Sequence, residues 1–258
     1  MAIVTFLSDF GESDHYVAAV KAKILSINSS LSILDISHNI GRCDLAHGAF
    51  VLRSVYRDFP RGTVHLIAVN SVGSADDNFI ALELNGHYFV GTDNGIFGLI
   101  SEQEAPLVVN LNVLNPVRTT FPARNILAVG AAKIASGRSL TDLGPRLENY
   151  KRMKLQQPKA NQKLISGHVI RIDHYGNLIT NIDKHTFDIL SKDKKFTISF
   201  ARERIGRVHE FMHQVDPGDV FVIFNDLGLL EIGVNMGNAN NLLGLGYDSP
   251  VMIKFDEG

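Results

Sequence analysis

The stretch Leu7-Ser8-Asp9-Phe10-Gly11-Glu12-Ser13-Asp14 separates two segments of different periodicity, and that change decides the fold class. Ahead of it, Ala2 to Leu7 is an apolar, β-branched run far too short to span a membrane, as expected of a strand covered on both faces. After it, Tyr16, Val20, Ile24 and Ile27, with Val17 beside them, recur at the three-to-four spacing of a helix that lays one face on a sheet. The acidic residues therefore fall at a strand-to-helix turn. In an open α/β sheet such turns lie at the carboxyl ends of the strands, where ligands bind. Gly11 suits a positive φ or a close backbone approach, and Ser13 or Asp14 can cap the helix. Asp14 thus has a plain reading as an N-cap. Asp9 ends a buried run, so its carboxylate needs a ribose diol, an ammonium group, a metal or a hydrogen-bond network to offset desolvation.

The chain has 258 residues and is 45% hydrophobic, enough for one large domain or two smaller ones with a sizeable core. A net charge of -2 and a pI near 6.5 give no global basic field, so nucleic acid and anionic membrane are not expected as partners. Cys43 is the single cysteine, which excludes an intramolecular disulfide and a multi-cysteine metal site. Met1 to Ser13 lacks a basic n-region and a long apolar segment, and no apolar run approaches the roughly 20 residues of a bilayer span, so a cytoplasmic protein is expected.

Beyond the first helix, Ser32 to Ser37 reads as a strand and Asp44 to Tyr56 as a helix with Leu45, Ala49, Leu52 and Tyr56 inward. Phe59-Pro60-Arg61-Gly62 is a turn, and Thr63 to Val69 is an apolar strand that stops at Asn70-Ser71-Val72-Gly73-Ser74. Asn78 to Leu84, Asn85-Gly86 and His87 to Val90 form a hairpin pattern around a tight two-residue turn. Thr92-Asp93-Asn94-Gly95 then repeats the motif of acid and glycine ahead of a short helix from Ile96. Val108 to Val113 reads as a strand and Asn125 to Ala135 as a small-residue helix. Alternating strand and helix implies a mostly parallel sheet.

Periodicity fades over Glu148 to Lys163, which is expected to link an N-terminal α/β domain, residues 1–150, to a second domain, residues 164–258, across a linker at 151–163. The second domain carries short β-like segments at Ser166 to Asp173, Leu178 to Ile182, Phe196 to Phe200, Val220 to Asn225, Leu229 to Val234 and Val251 to Phe255, a spacing that suits a small β-barrel. The basic stretch Lys192 to Arg207 reads as a solvated hairpin face.

Phosphate-binding, dinucleotide, zinc-protease and serine-hydrolase motifs do not occur. His38 follows a strand and is either functional or a hydrogen-bonded structural histidine; His47 and His65 are expected to pack. In Ile172-Asp173-His174-Tyr175-Gly176-Asn177-Leu178-Ile179-Thr180-Asn181, Asp173 and Asn177 flank a glycine turn. They either meet a polar ring edge, with Tyr175 or Ile179 as an apolar wall, or bond their own backbone.

Together with Asp14-His15-Tyr16-Val17, Asp35-Ile36-Ser37-His38, Phe59-Pro60-Arg61-Gly62-Thr63-Val64-His65, Asp93-Asn94-Gly95 and Gly228-Leu229-Leu230-Glu231-Ile232 through Asn235-Met236-Gly237-Asn238-Ala239, these stretches resemble the S-adenosylmethionine hydroxide adenosyltransferase family, the SAM hydrolases, related to fluorinase and chlorinase enzymes. The segments occur in order over nearly the whole chain. The resemblance implies an α/β domain followed by a small β-barrel domain, no cofactor, and a homotrimer with S-adenosylmethionine or adenosine held between the first domain of one subunit and the second of its neighbour. By position it places Asp9 on the ribose hydroxyls, Asp14 on the methionine ammonium and Asn177 on the adenine edge, with Asp173 and Phe211 in the same pocket. Asp226 and Leu227 stand where halogenating relatives hold the methionine carboxylate with Ser and Arg.

Three positions depart from the family pattern. The resemblance implies an Asp-Arg-His set that activates water in the family hydrolases, and here Asn70, Asp76 and Pro122 occupy those places. Asn and Pro do not titrate, and Asp76 reverses the charge of the arginine. The insertion that follows this loop in fluorinases is absent between Asp77 and Asp93. Two readings stay open on the sequence: displacement of methionine by water at the 5′ carbon, giving adenosine and L-methionine, or binding of the same ligand with little turnover.

Overall fold

The computed structural model describes residues 2–73, 77–114 and 119–256, and the chain divides into two compact units, Met1–Leu155 and Gln156–Gly258. In the first, β1 (Ile3–Ser8), α1 (Tyr16–Ile27), β2 (Ser32–Ser37), α2 (Leu45–Val55), β3 (Val64–Ala68), β4 (Phe79–Leu84), β5 (His87–Thr92), α3 (Ile96–Ile100), β6 (Val108–Asn110) and α4 (Ala128–Ala135) follow one another. The sheet order is β2-β1-β3-β5-β4-β6; β1, β2, β3 and β5 run parallel and β4 is antiparallel to its neighbours.

Strand pleating divides the apolar residues between two cores. Val4, Phe6, Val64, Leu66 and Ala68 pack on one face with Val20 and Ile24 of α1 and Ala128, Ala131 and Ala132 of α4. Leu7, Ile67 and Val69 pack on the other with Ala49 and Leu52 of α2 and Ile96 and Phe97 of α3. With β2 and β3 on opposite sides of β1, and α1 and α2 on opposite faces, the winding reverses at β1 and β3. Ligands bind at the carboxyl ends of strands at such a point. Asn85 (φ 54°) and Gly86 (φ 80°) make the expected β4–β5 turn, both in the left-handed region that a tight hairpin of this kind requires.

Several local expectations need correction. Neither Ser13 nor Asp14 caps α1: its N-cap is His15, already in a right-handed helical conformation and without a side-chain cap bond. Of the residues expected inward on α1, Val20 and Ile24 are buried, while Tyr16 and Ile27 are 42% and 38% exposed, because a helix this short seats only its middle turns on the sheet. The strand expected at Val108 to Val113 ends at Asn110, and Asn112–Leu114 form a 3-10 turn. The helix expected from Asn125 opens at Ala123–Leu127 as a π-turn. His47 is a hydrogen-bond acceptor for Gly41 N–H at 3.0 Å. Residues 148–155 pack on the first unit: Tyr150 and Leu155 join its second core, and Met153 N–H donates to the Gly95 carbonyl at 3.1 Å.

The second unit holds β7 (Lys159–Ala160), β8 (Leu164–Ile172), β9 (Leu178–Asp183), α5 (Lys184–Ser191), β10 (Phe196–Phe200), β11 (Glu203–Ile205), β12 (Val220–Phe224), β13 (Leu229–Val234), α6 (Ala239–Leu243) and β14 (Pro250–Phe255). Its antiparallel strands, ordered β11-β10-β14-β8-β9-β13-β12 with β7 on β8, curl into a nearly closed barrel around Ile165, Val169, Leu178, Val222, Ile232 and Val251. The basic stretch at 192–207 is the β10–β11 hairpin, whose Ile198 and Phe200 are buried. No helix of the described residues is long and apolar enough to cross a membrane.

His65 on β3 is fully buried; its Nδ1 is 2.7 Å from Thr5 Oγ1 and its Nε2 is 3.2 Å from His87 Nδ1. Burial, and after it the neighbouring His87, lowers the His65 pKa to about 3. The unfolded chain takes up this proton near pH ~6.5, so the stability due to neutral His65 is full above that pH and is lost progressively as pH falls towards 3. Urea unfolding should therefore show wild type losing on the order of a few kcal/mol more than His65→Gln between pH 7 and 4. Equal losses in the two proteins would refute the assignment.

Candidate functional site

Asp9 is half-buried directly after β1, and one of its oxygens is fixed by backbone donors from two other loops. Asn70 N–H, just after β3, lies 3.1 Å from Asp9 Oδ2, and Cys43 N–H, one residue before the α2 N-cap Asp44, lies 2.9 Å from the same atom. Both donors are in the left-handed region, Asn70 at φ 51° and Cys43 at φ 57°, a conformation that non-glycine residues adopt at a cost. The amino end of α2 adds a favourable field for the carboxylate. Oδ1 takes no donor among the described residues, so it is the oxygen open to a ligand. Gly11, at φ 70°, donates to the His38 carbonyl at 2.8 Å and turns the chain away from the carboxylate, as expected of a glycine there.

Next along the chain from Asp9, Phe10 joins Tyr16 and Phe121 in an aromatic cluster with centroid distances of 5.8, 6.1 and 5.5 Å. Asp14 is exposed, and no hydrogen bond ties it to the helix. The loop after β3 packs on the turn that holds Pro122: a Cβ at Gly73 would lie 2.5 Å from the Thr119 carbonyl oxygen and 3.3 Å from Pro122 Cδ. Asn70 and Pro122 therefore belong to adjoining loops, with Pro122 itself buried; Asp76 lies outside the described residues. Asp93 is spent internally, its Oδ1 accepting Lys151 N–H at 2.7 Å, and burial raises its pKa despite that bond. His38 takes the structural reading: it is buried, with Nδ1 2.7 Å from Ser8 Oγ and Nε2 3.2 Å from Asp35 Oδ1.

The second unit has its own polar cluster at one end of a cleft of about 810 Å³. Asp173, Tyr175, Asn177, Phe221, Asp226 and Met236 are among its walls. Asp173 Oδ1 accepts Asn177 N–H at 2.8 Å, and its Oδ2 is 3.3 Å from Asn177 Nδ2, so the two residues flanking the glycine turn do bond each other. Tyr175 lines the cleft as an apolar wall, whereas Ile179 is buried in β9 and does not line it. Met212 lines the cleft; its neighbour Phe211 is 56% exposed and stacks on His213.

Two members of this cluster, Glu231 and Asn225, escaped the sequence reading of the site. Glu231 is 6% exposed and accepts Asn177 Nδ2 on Oε1 and Asn225 Nδ2 on Oε2, each at 3.0 Å. Burial pushes its pKa up, and the amide donors pull against that. The signal for Glu231 was visible as a lone acid inside the apolar run Leu229-Leu230-Glu231-Ile232-Gly233-Val234, where a charge must find partners.

The two halves of the chain match two family models: the SAM hydroxide adenosyltransferase N-terminal domain over residues 4–144 and the SAM hydroxide adenosyltransferase C-terminal domain over residues 167–252. The chain belongs to the SAM hydroxide adenosyltransferase family. It is 31% identical over 257 residues to a protein of Methanocaldococcus jannaschii named (R)-S-adenosyl-L-methionine hydrolase, covering 95% of this chain and 93% of that one. It is likewise 31% identical to a Thermus thermophilus protein of the same name, over 98% and 100% of the two chains. A crystal structure of an uncharacterized conserved protein from Thermotoga maritima matches with a TM-score of 0.87 and 31% identity, over 97% and 99% of the chains.

Within this family fold the left-handed backbone at Cys43 is a local cost of presenting its N–H to Asp9. Cys43→Gly keeps that donor and removes the Cβ, so it should stabilise the protein by about 0.5–1 kcal/mol once the greater freedom of the unfolded glycine is counted. A lower melting temperature for this variant would show that no strain resides there.

Proposed function

We propose that the protein hydrolyses S-adenosyl-L-methionine, water displacing L-methionine from the 5′ carbon to leave adenosine. The observation that carries this reading is Asp9, a carboxylate at the winding reversal with one oxygen held by two backbone amides and the other open. A preset acceptor of this kind suits a ribose diol. The reading is supported by similarity over 95% of the chain to a protein named for this hydrolysis. A bond forms between the water oxygen and C5′ as the C5′–S bond breaks; the electron pair returns to sulfur and the proton of the attacking water passes to solvent. The sulfonium leaves as a neutral thioether, so no general acid is required, and positioning and water exclusion supply most of the acceleration.

In this scheme Asp9 binds the ribose hydroxyls, Asp14 the methionine ammonium, and Asn177 with Asp173 the adenine edge, with Phe211 and Asp226 at the margin of the second-unit cleft. Asp226 cannot serve as the contact for the methionine carboxylate, since two like charges repel. The resemblance further suggests a cytoplasmic homotrimer, each ligand shared by the first unit of one subunit and the second unit of the next. Asn70, Asp76 and Pro122 leave the attacking water without the family's activating set.

Calorimetry should show that Asp9→Ala weakens adenosine binding by about 1.5–3 kcal/mol, the usual worth of hydrogen bonds to a charged group. No heat with either adenosine or S-adenosylmethionine in the wild type would refute the pocket. Chromatography after incubation with S-adenosylmethionine, with and without chloride, should yield adenosine in both cases, at a rate about 10²–10⁴-fold below that of relatives carrying the activating set. A 5′-chloro product would make the protein a halogenase, and unchanged ligand a binder. Sedimentation should give a trimer; a stable monomer that still binds ligand would rule out a shared site.

A further inference from the structure

The cleft of the second unit has a hydrogen-bond polarity that follows from its buried carboxylate. Asn177, 5% exposed, has two amide protons, and both point at carboxylates: one at Glu231 Oε1, 3.0 Å away, the other at Asp173 Oδ2, 3.3 Å away. A carboxylate accepts and does not donate, so the Asn177 carboxamide cannot be turned round without facing its oxygen to two acceptors. Its orientation is set by chemistry. Asn177 Oδ1 is then the atom left over: among the described residues no donor reaches it, and Asn177 lines the cleft. It is kept clear by Gly233, where a Cβ would come within 2.7 Å of Oδ1 and 2.0 Å of the Phe221 ring. The other oxygen of Glu231 holds Asn225 Nδ2 at 3.0 Å, which spends a further donor on the protein itself.

We infer that Glu231 is a positioning residue that makes this end of the cleft accept hydrogen bonds and so selects a 6-aminopurine over a 6-oxopurine. The inference rests on the reading that the cleft takes the purine of the substrate. A 6-amino group donates to Asn177 Oδ1, whereas a 6-oxo group sets two acceptors face to face and leaves both desolvated. Tyr175, Phe221, Val234 and Met236 supply the apolar walls that a flat ring needs, and the volume of about 810 Å³ has room for a nucleoside.

Calorimetry on the full-length wild type with adenosine, purine riboside and inosine tests this without any variant. Adenosine should bind tightest, purine riboside more weakly for want of the donor, and inosine weakest, at least about tenfold below adenosine. In Glu231→Gln a side-chain amide can donate to Asn177 Oδ1 and let the carboxamide turn, so the adenosine-to-inosine ratio should fall towards one, a change that simple loosening of the fold would not cause. Inosine binding as tightly as adenosine in the wild type would overturn the inference, as would a folded Glu231→Gln protein that keeps the full ratio. Hydrolysis of S-adenosylmethionine followed in parallel separates the failures. Turnover with equal tolerance of inosine defeats this inference alone, while absence of both turnover and nucleoside binding defeats the functional reading beneath it.

Discussion

Two backbone amides converge on one oxygen of Asp9, and the first unit is built so that they meet there. Asn70 follows β3, the parallel neighbour of β1, and Cys43 precedes α2, which packs on the face of the sheet opposite α1. Only a sheet whose winding reverses beside β1 brings a strand end and a helix start together at one carboxylate. The two left-handed non-glycine residues are the local cost. The return is a carboxylate whose position is settled before any ligand arrives, and such preorganisation spares entropy on binding.

The second unit solves a related problem with side chains. Glu231 lies on a strand otherwise made of apolar residues and glycine, and its desolvation is offset by amides from Asn177 and Asn225 rather than by a cation. An arginine partner would have neutralised the site and filled it. Amide partners leave the charge in place and, because each amide proton is spent on a carboxylate, leave Asn177 an acceptor at the open face. The same bonds that make a buried acid tolerable thus give the cleft its polarity.

His65 shows the other use of a buried polar group. It is bonded to Thr5 and His87 inside the first unit and is held neutral by burial. In His38 the ring again serves the fold, bridging Ser8 and Asp35. Both histidines are thus spent on the fold of the first unit.

From the sequence alone came whatever depends on local periodicity and turn chemistry: the parallel sheet from alternating strand and helix, the Asn85-Gly86 hairpin, the β-rich second half, and the carboxylate at the end of β1. Six motifs in register pointed to the family before any coordinates did. What it could not yield depends on partners distant along the chain. Asp14 looked like a cap because an acid before a helix usually is one, yet the helix begins one residue later and Asp14 stays unspent. Asp93 looked equivalent to Asp9, and only the path of residues 148–155 shows that it is bonded away to Lys151. Glu231 stands 54 residues from Asn177, so their bond is invisible to any local pattern. Periodicity is written in neighbours three or four residues apart; the donors that satisfy a buried charge are chosen by the fold, which is why tertiary structure decided which acids remain free to meet a ligand.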